Sequence, residues 1–242
     1  MIKLEPKFNF LLSLISFFLS FYIFQWMLFD PYIDYLEETN LFFHMMGQHT
    51  LLLLAGYLIP FGFEKLALSS SRIFKGSNLS KDLLKLYRNL VLLNYKLNPK
   101  GFLTLSFTII IVSYWHIPII FDLLQEEEFT HQFMHFTYSL AGSLIYMSYK
   151  RMPFIISVIL ASAVHKVMLI GSFLILLSPN PIYKSYSLQE NIANGYYMAI
   201  MGAIGEVIFM PLIVYFIYKW LKGERVLIRI PLEKDLSEDL TK

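Results

Sequence analysis

The chain of 242 residues contains no cysteine. Disulfides, thiolate metal sites and thiol nucleophiles are thereby excluded. Charge is scarce as well, at 16% of residues against 56% hydrophobic, and the mean hydropathy is +0.54. A soluble domain needs far more polar surface, so the composition is that of an integral membrane protein. Catalytic signatures are also missing. There is no Ser/His/Asp set, nucleophile elbow, glycine-rich phosphate loop or His-Glu-x-x-His motif, so hydrolytic and phosphoryl chemistry are not expected. The chain reads as a binding protein and not an enzyme. The net charge of +2 gives no nucleic-acid signal, because the cations are sorted along the chain rather than pooled in one patch.

What is present is a set of long apolar runs. A helix needs about 20 apolar residues to cross the hydrocarbon core. Six stretches qualify, at roughly 8–29, 41–63, 102–123, 129–149, 153–178 and 191–220. The first is too long for a signal peptide and lacks a small-residue cleavage site, so it counts as a span. The expected fold is all-α: one transmembrane domain of six helices, with no linker and no internal repeat. Placing the N-terminus inside puts 18 of the 20 Lys and Arg residues in cytoplasmic segments, leaving Lys166 within a span and Lys184 in an outer loop. Acidic residues gather in the outer loops, as Asp30, Asp34, Glu37 and Glu38 and as Asp122, Glu126, Glu127 and Glu128. The basic asymmetry puts both termini in the cytoplasm.

The one sizeable loop, 64–100, opens with the turn-prone Leu68-Ser69-Ser70-Ser71. Further on, Leu79, Leu83, Leu86, Leu90, Leu93 and Leu97 recur at helical spacing opposite Lys81, Lys85, Arg88 and Asn89. That pattern predicts an amphipathic helix over 79–97 lying on the inner leaflet, with docking onto a partner subunit as the alternative. The tail 223–242 is mixed in charge and expected to be solvated. Pro60 and Pro211 fall inside spans, where each is expected to kink its helix.

Five of the six histidines collect at one end of three spans. His44 and His49 begin the second, His116 lies near the end of the third, and His131 and His135 begin the fourth. Because the third span runs opposite to the other two, all five meet at the outer face. Imidazole is costly in lipid and is a common metal ligand, so this convergence points to a metal or cofactor site. Interhelical hydrogen bonding is the plain alternative. His131 and His135 are four apart and share a helix face. His44 and His49 are five apart, about 140° around a regular helix, and face one ligand only if a π-bulge or kink intervenes. Met45 shares a face with His49, and Met45, Met46 and Met134 offer thioethers that suit Cu(I). Imidazole with thioether fits copper, while imidazole alone also fits zinc or the axial positions of a haem, with His116 and His135 as the pair.

His165 and Lys166 lie deep in the fifth span, where either pairs naturally with Glu206 of the sixth. Glu190, Asn191 and Asn194 open the sixth span, as hydrogen-bond partners for the imidazoles or simply as a helix cap.

Several of these segments carry a family resemblance. His44-Met45-Met46-Gly47-Gln48-His49 looks like a His-Met-x-Gln-His motif. Trp115-His116-Ile117-Pro118 with Phe121-Asp122 looks like Trp-His-x-Pro-x-x-Tyr-Asp. His131-Gln132-Phe133-Met134-His135-Phe136, running on to Leu144-Ile145-Tyr146, resembles His-x-x-Glu-His-x-x-Phe. Pro181-Ile182-Tyr183, Glu190-Asn191 and Gly195 to Met198 are similar to Pro-Leu-Tyr, Asp-Gln and Gly-x-x-Met. In this order, from residue 41 to about 215, they resemble the CtaG-type cytochrome c oxidase assembly factors of bacteria and a related archaeal membrane family. The resemblance implies a plasma-membrane protein that helps mature haem–copper terminal oxidases of the respiratory chain, with oxidase subunits as partners. It also implies a copper ion held by His49, His116, His131 and His135, while His44 and Met45 are further candidates on the chemistry of their side chains alone. A haem-binding redox subunit and a cofactor-free structural subunit are the competing functional readings.

Overall fold

The structure is a computed structural model describing residues 5–124, 126–149 and 152–222. The tail at 223–242 lies outside the described residues. Those described form helices and no strand. Four helical stretches are long and apolar enough to cross a membrane: Pro6–Phe29, Phe43–Ile73, Ile155–Leu177 and Leu188–Lys219. A fifth candidate is the pair Phe102–Trp115 (α5) and Pro118–Leu124 (α6), bent by 75° where they meet. Length and composition therefore support four to five spans among the described residues, against the six expected. The difference is Glu128–Tyr149 (α7), whose polar side chains dilute its apolar character below that of the others.

The chain divides into two compact units. One comprises residues 1–97 and 126–147. Its helices are Pro6–Phe29 (α1), Pro31–Thr39 (α2), a π-helix over Phe43–Gln48, His49–Ile73 (α3), Asn78–Leu97 (α4) and α7. Small side chains let its long helices approach. Ser13, Ser16 and Ser20 are buried on one face of α1, and the Ser20 hydroxyl donates to the Ala55 carbonyl of α3 at 2.9 Å. Opposite them, a Cβ on Gly62 would lie 3.2 Å from the Ser16 Cβ. The contact between α3 and α7 is closer still, with Gly56 against Ser139 and Gly142 against Leu53. Such small-residue crossings are the usual way for membrane helices to pack, since lipid supplies no hydrophobic drive between them.

Two expectations for this unit change. The serine run at 68–71 makes no turn: α3 continues to Ile73, where the Phe74 N–H bonds back to the Ser70 carbonyl. Ser69 and Ser71 are accommodated because their hydroxyls donate to carbonyls one turn back, at Lys65 and Leu68. The acidic stretch after α1 is helical rather than a loop, because Asp30 caps it and Pro31 opens it. The amphipathic helix spans 78–97, and it packs through the Tyr87 hydroxyl on Glu64 at 2.8 Å and Asn94 on the Met147 carbonyl at 3.0 Å. Its leucine stripe stays uncovered, with Leu79 at 69% and Leu97 at 62% exposure.

The other unit comprises residues 98–125 and 148–242. Within it α5 and Phe154–Leu177 (α8) are in contact, and α8 packs along Leu188–Leu221 (α9). The expected straight span at 102–123 is broken at His116, because Pro118 lacks an N–H and restarts the chain as the first residue of α6.

A histidine–carboxylate cluster in the first unit

The cluster is built by a short helix, a π-turn and one face of α7. In α2, Ile33 and Glu37 are one turn apart and both buried, so this nine-residue helix turns a carboxylate inward along with its apolar side. Asn40 ends the helix and its side-chain oxygen accepts from the Phe43 N–H at 2.8 Å, which sets the start of the next segment. That segment is the π-helix, whose i→i+5 bonding brings residues five apart towards one side. His44 and His49 meet the condition their spacing imposes: their ring centroids are 5.7 Å apart.

Across from them stands α7. His44 and His131 rings are 5.2 Å apart, and His131 and His135 rings 4.4 Å. His49 stacks on Tyr138 at 4.0 Å. Glu37 uses its oxygens differently. Oε1 accepts a hydrogen bond from the Gln48 side-chain amide, while Oε2 lies 3.3 Å from His131 Nε2. One ligand atom from each of Glu37, His131 and His135 falls within 4.8 Å of the others. His135 is only 3% exposed and neither of its ring nitrogens has a hydrogen-bond partner. Burial, reinforced by Asp34 and Glu38, pushes the Glu37 carboxyl up to about 8. An enclosed carboxyl group beside two imidazoles, three of whose nitrogens make no hydrogen bond, is a donor set that suits a cation.

Met45 and Met134 are buried in the same unit, on the π-helix and on α7. His116 belongs to the second unit. Its Nδ1 is 2.6 Å from the Val112 carbonyl oxygen, and its own carbonyl accepts from the Tyr183 hydroxyl at 2.9 Å. Asn191 is buried there and organises the turn before α9. It accepts from the Tyr183 N–H at 2.9 Å and donates to the carbonyls of Tyr183, Tyr186 and Ser187. Burial, with Asp122 adding to it, raises the Tyr183 hydroxyl above its ordinary value. Glu190 is engaged through its N–H, which donates to the Ser187 hydroxyl that caps α9. The Asn194 amide lies 3.4 Å from the Met198 sulfur.

Lys166 and Glu206 form an ion pair at 2.5 Å, while His165 Nδ1 is 2.7 Å from the Ala161 carbonyl oxygen. The pair is not enclosed, since the Lys166 side chain is 47% exposed on the flank of α8 and α9. Sequence reasoning passed over Glu37 and Gln48. The signal for Glu37 was Asp30-Pro31 as a helix start with Ile33, Leu36 and Glu37 at helical spacing, in a stretch whose four acids read as an outer loop.

Fold and site together define a multi-pass membrane protein carrying a buried histidine–carboxylate cluster. Residues 9–223 match the model of the cytochrome c oxidase caa3 assembly factor family, and the chain belongs to that family. Comparison with curated proteins and with solved structures gives no significant match.

Proposed function

We propose that this protein is a copper-binding assembly or accessory factor for a respiratory haem–copper oxidase. In this reading it lies in the plasma membrane as six spans with both termini in the cytoplasm, α7 supplying the sixth. It works by holding an ion near the outer face, not by catalysis, with lipid and oxidase subunits as its partners. The observation that carries the reading is His135, an imidazole sealed from solvent with two unsatisfied nitrogens beside His131 and Glu37. Family membership supplies the oxidase, and the donor types supply the ion class. Rings packed 4.4–5.7 Å from one another suit a single ion better than a flat macrocycle between them.

Elemental analysis of protein purified from membranes without added metal tests this. Copper is expected in the wild type and sharply reduced in His131→Ala and His135→Ala, with His165→Ala unchanged. Wild-type copper in both cluster variants would end the proposal. Stoichiometric iron with a Soret band would replace it with a haem protein.

A further inference from the structure

Resting on that reading, we propose that Glu37 is the anionic ligand of the bound ion, that Gln48 fixes its orientation, and that the site consequently holds copper in its divalent rather than its cuprous state. The geometry argues for a ligand and against a simple ion pair. Oε2 of Glu37 and Nε2 of His131 face each other at 3.3 Å, yet that nitrogen makes no hydrogen bond. Two ligands each about 2.0–2.2 Å from one ion stand roughly 2.8–3.6 Å apart as the angle between them opens from a right angle to a tetrahedral one, so the spacing falls within a single coordination shell. The second carboxylate oxygen is committed to Gln48, and Oε2 is the oxygen turned towards His131. That is how an outer partner aims a ligand and sets its basicity. His135 contributes a third donor, within 4.8 Å of the other two.

The chemistry of this set decides the oxidation state. A cuprous ion prefers soft thioether and thiolate donors, whereas a carboxylate with two imidazoles suits a divalent ion and brings a negative charge to balance it. Glu37 is carried by α2 and the imidazoles by α7, so the ion would tie the short outer helix to the bundle.

The test uses the full chain, purified in detergent and stripped of metal. It is titrated with Cu(II), and anaerobically with Cu(I), each against a competing chelator. Glu37→Gln should weaken Cu(II) retention by roughly 100-fold and Cu(I) by far less, with Gln48→Ala losing about 10-fold. The Cu(II) electron paramagnetic resonance spectrum of Glu37→Gln should shift towards a nitrogen-richer environment. Equal weakening of both oxidation states, or none in either, overturns the assignment. His135→Ala separates this failure from the broader one. If His135→Ala loses copper while Glu37→Gln keeps it, only the role of Glu37 falls. If both keep it, the cluster is not the site. Should Glu37→Gln fail to fold, the infrared difference spectrum of the wild type on adding Cu(II) decides. A perturbed carboxylate band is expected, and its absence overturns the proposal.

Discussion

Replacing Gly142 by alanine tests what holds the cluster together without touching any donor. A Cβ at that position would sit 2.0 Å from the Leu53 carbonyl oxygen and 3.0 Å from the Tyr57 nitrogen. Both are backbone atoms of α3, so no side-chain rotation relieves the clash. Ordinary contact begins near 3.4 Å, so α3 and α7 must part by about 1.4 Å at this point. Overpacking of this kind costs about 1–3 kcal/mol. The separation would also stretch the 2.8 Å hydrogen bond from the Ser143 hydroxyl to the Gly56 carbonyl, whose loss adds about 0.5–1.5 kcal/mol. His49 lies on α3 and His135 on α7, so the same displacement moves donors that a metal tolerates only within about 0.2 Å. Thermal unfolding in detergent, followed by circular dichroism, should show a clear loss of stability. Retained copper should fall by more than that loss alone explains. Gly56→Ala, whose Cβ would lie 1.9 Å from the Ser139 carbonyl oxygen, should behave alike. A Gly142→Ala protein that melts as the wild type does would refute the claim that these backbones touch.

Two further outcomes are expected. The absence of cysteine allows topology to be read directly: a cysteine placed at Asp34 or Glu127 should react with an impermeant thiol reagent outside intact cells, and one at Lys85 should not. Labelling at 85 would invert the orientation. In a double-mutant cycle, Glu206→Gln and Lys166→Met should couple by about 0.5–3 kcal/mol, with additive effects showing that the 2.5 Å contact carries no energy.

Helices were legible in this chain because hydrophobic runs and caps are local signals. The leucine spacing in 79–97 finds α4 to within a residue, and the apolar run at 8–29 finds α1 to within two. Other features were hidden for physical reasons. The serine run at 69–71 suggests a turn only until the Ser69 and Ser71 hydroxyls are seen bonding back along the helix. Residues 129–149 are long enough for a span, but the polar face that gathers the histidines lowers their hydropathy. The four-residue spacing of His131 and His135 places both rings on one face. That of His44 and His49 stays ambiguous, because a π-turn is a backbone choice that leaves no periodic trace. Glu37 was hardest to read. A buried carboxylate and a solvated one are the same letter, and only the partners tell them apart.

The π-turn also bears on how relatives of this chain should be compared. The family-like His-Met-x-Gln-His pattern spaces its histidines four apart, whereas here an extra residue makes the interval five. In a regular helix an insertion rotates everything before it by about 100°, enough to swing one histidine off the shared face. Widening a single turn absorbs the added residue, so the length changes and the facing does not. Insertions at this point are therefore better counted in turns than in positions.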